Sequence, residues 1–238
     1  IKPLMVIQAK DTDCKNQTLG RLEVQNLSFT YPDGKNVYND ISFTAEPGEI
    51  IGVTGPVACG KSTFGKTFLC ECPYKGSIKY NGNELSSVAD NVRSGIISYL
   101  GHDPELFNDS VRNNVLLGDD YDVFEYLRVV CMDKEVEAME QGADTIIGSE
   151  GIRLSGGQAQ RIALARKLCH KKLVLVLDDP FSALDRNTEE QIYKKLKDMA
   201  SDNIVILISH RLYMFPKMDK VIWMDAGKVN VGTHKELM

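Results

Sequence analysis

The stretch Glu49-Ile50-Ile51-Gly52-Val53-Thr54-Gly55-Pro56-Val57-Ala58-Cys59-Gly60-Lys61-Ser62-Thr63 decides the fold class. Its first part is a short apolar run of strand length. From Gly55 to Thr63 it fits G-x-x-x-x-G-K-[ST], a glycine-rich turn that opens a helix at Gly60-Lys61. A strand running straight into such a turn and helix is the local architecture of a phosphate-binding loop. Gly55 and Gly60 let the backbone between them, Pro56-Val57-Ala58-Cys59, wrap nucleotide phosphates, with N–H groups offered by every residue but the proline. Lys61 adds a point charge, Ser62 completes the motif and offers a hydroxyl to Mg2+, and Thr63 follows it.

Upstream of this loop, alternation begins at Leu22. Leu22, Val24, Leu27 and Phe29 predict an antiparallel strand pair that turns at Tyr31-Pro32-Asp33-Gly34, and Ile41-Ser42-Phe43 continues the small sheet. Residues 1–20 are polar and aperiodic and are expected to be a linker. Downstream, Ile96–Leu100 predicts a core strand. From about Pro104 to Ala143 the period becomes helical through Val111, Val115, Val123, Leu127 and Val130, and no strand is expected there. Gln158 to Leu168 reads as a further helix. Leu173–Leu177 and Ile204–Ile208 are continuous apolar runs of the kind buried on both faces of a parallel sheet, joined by a helix beginning at Asp185. A hairpin around Ala226-Gly227 closes the chain. The expected fold is α/β, a P-loop NTPase core with a mostly parallel sheet, within one domain over 21–238. It carries an N-terminal antiparallel β-subdomain and an inserted α-helical subdomain over about 104–165.

Composition narrows the partners. A net charge of −5 argues against nucleic acid, whose phosphates reward clustered Lys and Arg. The six cysteines lack CxxC or zinc-finger spacing and read as reduced structural thiols. No apolar run reaches the ~18 residues of a membrane span. The first residue is Ile1 rather than Met, and the last six, Thr233 to Met238, read as the start of a helix. Both features lead to the expectation of a domain within a longer polypeptide.

A second motif, Leu154-Ser155-Gly156-Gly157-Gln158, precedes a helix and then the apolar run that ends in Asp178. Together with the Gly55–Thr63 loop it resembles the ATP-binding-cassette (ABC) ATPases, from Leu22 to the end of the chain. The resemblance implies ATP and Mg2+ as ligands. Gly55 to Thr63 would hold the phosphates, Tyr31 would stack on adenine, and Asp178 with Ser62 would hold the metal. His210, in Ile208-Ser209-His210-Arg211, matches the family's switch histidine. In that family two cassettes pair head to tail. Ser155, Gly156, Gly157 and Gln158 would therefore contact ATP held by the partner, and Asp185, in Ser182-Ala183-Leu184-Asp185, would lie at the dimer interface. The segment Ile147-Gly148-Ser149-Glu150-Gly151 is similar to one that exporter-type cassettes set against their transmembrane domains.

Two positions depart from the family pattern. Most active members carry Glu after the strand-terminal aspartate, where this chain has Asp179; most carry Gln where this chain has His102. Both positions serve the chain's own nucleotide, and neither touches the LSGGQ segment. The resemblance therefore extends to the degenerate half of a heterodimeric exporter, with Asp179, His102 and His210 as its catalytic positions; the alternative pairing is a slow but functional homodimer. The expected function is ATP binding and hydrolysis powering export, at the cytoplasmic face of a membrane, with low intrinsic activity. The alternative is a soluble ABC ATPase acting on ribosomes or DNA. Against the chromosome and DNA-repair members, no coiled-coil heptads separate Lys61 from Ser155. A plain kinase would have no use for LSGGQ.

Overall fold

Alternation of buried and exposed side chains from Leu22 onward builds the first sheet. The computed structural model of the chain describes residues 18–237 apart from Pro104, Ser149, Glu150 and Ala226. The expected linker lies outside the described residues except for its last three. β1 (Leu22–Thr30) and β2 (Asn36–Ala45) pair antiparallel, joined by a turn in which the Gly34 N–H donates to the Tyr31 carbonyl at 2.9 Å. β3 (Ile50–Thr54) runs into the glycine loop and α1 (Lys61–Thr67). β4 (Lys75–Tyr80) and β5 (Asn83–Glu84) complete a four-stranded sheet of order β2-β1-β4-β5.

Next come α2 (Asp90–Ile96), β6 (Ile97–Leu100), β7 (Asp109–Ser110), α3 (Val111–Leu116), α4 (Val123–Val129), α5 (Asp133–Glu137), β8 (Ile146–Ile147) and α6 (Gly156–Cys169). The chain ends with β9 (Val174–Asp178), α7 (Arg186–Met199), β10 (Ile204–Ile208), β11 (Lys220–Asp225), β12 (Lys228–Gly232) and α8 (His234–Leu237). The central sheet has the order β12-β11-β3-β10-β9-β6, and every neighbouring pair is parallel except β11–β12.

That sheet divides two apolar cores, and the period of two decides which residue serves which. Leu175, Leu177, Val205, Leu207 and Val221 pack with Ile162 and Leu168 of α6, Ile192 and Leu196 of α7, and Val115 and Leu127 of the helical region. Val174, Val176, Ile204, Ile206 and Ile222 turn the other way, onto Phe64 and Phe68 of α1 and onto Leu22, Val24 and Ile41 of the antiparallel sheet. Each such side chain removed from water stabilises the fold by about 1.5–3 kcal/mol.

Three local expectations are corrected. Ile96 ends α2 and the strand starts at Ile97, because the helix's last turn runs directly into it. The stretch from 104 to 143 is helical but not strand-free: it contains β7, which pairs antiparallel with β8 just beyond it, Asp109 with Ile147 and Ser110 with Ile146. Two-residue strands leave no readable period. β4, whose register on β1 pairs Leu22 with Tyr80 and Val24 with Ile78, was not foreseen, since Lys75, Gly76, Ser77 and Lys79 leave only Ile78 and Tyr80 as buried positions. Among the described residues no helix is long and apolar enough to cross a membrane.

Candidate nucleotide-binding site

In open parallel sheets, clefts form outside the carboxyl ends of the strands. Four neighbouring parallel strands deliver the candidate residues to one such edge. β3 hands Thr54 to the glycine loop, β6 ends two residues before His102, β9 ends on Asp178, and β10 ends two residues before His210. There a cleft of about 620 Å³ is lined by Tyr31, Val57, Ala58, Cys59, Gly60, Lys61, Ser62, Thr63, His102, Asp178, Asp179 and His210. Residues spread over 180 positions of sequence thus share one cavity.

The loop is held by its own chain. Lys61 is buried, and its Nζ donates to the carbonyls of Gly55 (2.9 Å) and Pro56 (2.7 Å), two loop residues that do not line the cleft. Gly55 has φ +149°, and a Cβ there would lie 1.9 Å from the Met224 carbonyl oxygen, so no other residue fits. Tyr31 is exposed, with its hydroxyl 3.0 Å from Thr63 Oγ1 and its ring edge-on to Phe29 at 5.2 Å. One end of the ring is anchored while the rest faces the cleft.

The two aspartates differ. Asp178 is buried and accepts a hydrogen bond from the Tyr99 hydroxyl at 2.9 Å. Burial, together with that carboxylate, holds the Tyr99 phenol well above its usual range, so it stays a donor. The Asp179 side chain is 14% exposed, and His102 Nδ1 lies 3.9 Å from its Oδ2. Burial raises the Asp179 pKa above the ordinary aspartate value and the Asp178 charge adds to this, while His210 and His102 pull it back. Its backbone is in the left-handed region, φ +51°. The two departures from the family pattern therefore face each other across the cleft.

Ser155, Gly156, Gly157 and Gln158 are not part of this cleft. They form the start of α6 in a capping box: Ser155 Oγ accepts from the Gln158 N–H at 3.2 Å, and the Ser155 N–H donates to Gln158 Oε1 at 2.8 Å. Gln158 Nε2 also donates to Glu135 at 2.9 Å, so both ends of its amide are committed within the chain. Asp185 caps α7, accepting from the Thr188 N–H (3.0 Å) and hydroxyl (2.6 Å), which hold its carboxyl below the usual range. Ser149 and Glu150, in the segment similar to one facing transmembrane domains, lie outside the described residues.

Sequence reasoning missed Lys35, Asn36, Val37 and Gly227, which also line the cleft, because they arrive from a turn and a hairpin without a motif. It also missed Tyr99, Gln160 and Arg211. The only signals in the sequence were a tyrosine inside the apolar run Ile96–Leu100 and a glutamine two residues beyond LSGGQ.

A glycine loop between β3 and α1, facing a carboxylate at the end of β9, defines a P-loop nucleotide-binding protein. The family model described as ABC transporter matches residues 38–182, and the chain belongs to that family. Similar proteins include ATP-binding cassette sub-family B member 6 of Xenopus tropicalis, 34% identical over 92% of this chain and 26% of the relative. The ATP-dependent lipid A-core flippase of Pseudomonas putida is 38% identical over 94% of this chain and 38% of its own length. The chain thus spans between a quarter and two-fifths of these relatives. Among solved structures, a bacterial Atm1-family ABC exporter with ATP bound superposes with a TM-score of 0.84 at 28% identity, covering 92% of this chain and 40% of the exporter.

Proposed function

We propose that the chain is the ATP-binding cassette of a membrane exporter, binding Mg·ATP in the Gly55–Thr63 cleft and hydrolysing it in a head-to-tail dimer to drive export. The observation that carries this reading is a separation within one chain. The cleft gathers Lys61, Asp178, Asp179, His102, His210 and Tyr31, while Ser155 to Gln158 open a different helix outside it. Two half-sites on one chain suit a dimer in which each cassette completes the other's site. The relatives named as a flippase and an exporter support the membrane setting.

The residues suit these ligands. Ser62 and Asp178 are hard oxygen donors of the kind Mg2+ takes. Among the described residues no group of three or more His, Cys, Asp or Glu side chains is placed to hold a metal alone, so phosphate oxygens and water would complete its coordination. Bound Mg2+ neutralises phosphate charge. Lys61 and the loop N–H groups hold the phosphates, Tyr31 stacks on the base, and His210 faces the γ-phosphate. Asp179 is one methylene shorter than glutamate, a retraction of roughly 1 Å, which costs on the order of 100-fold in positioning an attacking water. The imidazole of His102 is a poor ligand for Mg2+. This chain's own site is therefore the slow one of a heterodimer, and its Ser155–Gly157 segment serves the partner's site. The parent protein carries transmembrane domains, with this cassette on the cytoplasmic face and no nucleic-acid partner.

The test is Mg·ATP binding by the intact protein, with identification of what copurifies. A second cassette should copurify, and Lys61→Ala should weaken nucleotide binding at least tenfold. A protein that binds no nucleotide, or that purifies without a second cassette, overturns the proposal.

A further inference from the structure

We infer that Gln160 and Arg211 are positioning residues that lock the loop 179–185 to the start of α6, so that Asp179 moves only with the Ser155–Gly157 segment. This rests on the ATP-hydrolysing reading above. Gln160 is buried on α6, and its Nε2 donates to the Asp179 carbonyl at 2.9 Å and to Ser182 Oγ at 3.1 Å. Its Oε1 accepts from the Ser182 hydroxyl at 3.2 Å and from the Ala183 N–H at 3.4 Å. The Asp179 N–H is bonded to the Ile208 carbonyl at 2.9 Å, so both peptide groups of the acid are pinned, one to β10 and one to α6. That pinning matters because Asp179 sits at φ +51°, a conformation that persists only when its surroundings over-determine it.

The loop also lies directly on Gly157 of the LSGGQ segment. A Cβ at Gly157 would come within 2.9 Å of the Ala183 carbonyl oxygen and 3.4 Å of Leu184 Cδ2. From the opposite side, Arg211, which follows the cleft residue His210, donates to the carbonyls of Ser182 (3.1 Å) and Leu184 (2.8 Å). Its other nitrogen donates to Glu189 at 2.6 Å. Glu189 is wholly buried on α7, and the same oxygen accepts from the Tyr213 hydroxyl. The short segment that aims Asp179 and carries Asp185 is thus clamped between the helix that begins at Ser155 and the turn that carries His210. Displacement at either half-site reaches the other through this clamp.

The experiment uses the intact protein with its partner and three variants: Gln160→Met, Arg211→Lys and Ser182→Ala. Three quantities are read: turnover, the Kd of a non-hydrolysable ATP analogue, and amide exchange at Ser182, Ala183 and Leu184. Gln160→Met and Arg211→Lys should each lower kcat of the complex about 10–100-fold, because the loosened loop no longer holds the Ser155–Gly157 segment in place at the partner's site and a displacement of ~1 Å there is costly to catalysis, with Kd changed less than twofold. Exchange at the three amides should accelerate at least tenfold. The double variant should lose little more than the worse single one, because both residues hold one loop. Wild-type exchange in both single variants, or Kd rising in step with the loss of kcat, overturns the inference. If Gln160→Met does not fold, Ser182→Ala removes only the hydroxyl part of the network and must still show faster exchange and a several-fold fall in kcat; wild-type values there also overturn it. A wild-type protein that neither binds nor hydrolyses ATP would sink the functional reading, whereas the exchange measurement judges the clamp on its own.

Discussion

Two glycine-rich turns open helices in this chain, and their surroundings are opposite. The turn before α1 is closed in on itself: Lys61 is buried against its own loop carbonyls, and Gly55 has a neighbouring carbonyl where a side chain would be. The turn before α6 is open. Ser155 and Gly156 are exposed, and a Cβ at Gly156 would meet nothing within 4 Å. The first turn is shaped by contacts within the chain. The second keeps a small residue where this chain's own packing asks for none, which is expected of a surface that meets something outside the chain.

The largest expected effect breaks this contrast directly. Gly156→Asp places a carboxylate where the partner's γ-phosphate would lie, and should abolish ATPase activity of the assembled complex while leaving this chain's own nucleotide affinity intact. Lys61→Ala should do the reverse, weakening nucleotide binding here yet leaving measurable turnover. Phosphate release and nucleotide binding on the same preparations decide it, and the opposite ranking would refute the division into a holding site and a donating segment.

Stability gives the same contrast at intermediate size. Gly55→Ala should destabilise the fold by roughly 2–4 kcal/mol, from the Met224 clash and the positive φ together. Gly156→Ala should stay within about 0.5 kcal/mol of the parent in denaturant melts. Similar losses at both positions would mean that the second turn is constrained from within after all.

A gain of function sharpens the comparison from the cleft side. Asp179→Glu with His102→Gln should raise turnover at this chain's own site by roughly 10–100-fold, read with the partner's site silenced, as the carboxylate recovers its reach. A double variant no faster than the parent would separate the slow site from these two residues.

The smallest effect lies beside the open turn. Burial alone would raise the Glu135 pKa, but hydrogen bonds from Arg161 and Gln158 outweigh it and hold the carboxyl below the ordinary glutamate range. With its folded pKa depressed, Glu135 contributes stability that is present above the unfolded value and lost as pH falls through the folded one. Glu135→Gln should therefore flatten the acid side of the pH–stability profile, by less than ~1 kcal/mol for so exposed a group. An unchanged acid limb would assign that limb to other carboxylates.

Motif chemistry made much of the candidate site legible in one dimension. Gly55–Thr63, Asp178 and the LSGGQ segment are local patterns, because phosphate-binding backbone requires glycine at set intervals and a buried strand requires an unbroken apolar run. The long strands and helices were legible for the same reason, since their periods repeat over many residues. β7 and β8 escaped because two residues carry no period, and β4 because only Ile78 and Tyr80 of its residues are buried. Nor does any local pattern reveal that His102 and Asp179 are neighbours, that Tyr99 holds Asp178, or that Gln160 and Arg211 grip one loop from two sides. Spacing along the chain dictated which residue types could bind phosphate and which segments would be strands and helices, since those depend on neighbours within a few positions. Which side chains meet in the cleft, and which turn stays open to the outside, was settled only by the order β11-β3-β10-β9-β6. Parallel pairing across long crossovers brings strand ends together regardless of their distance in sequence.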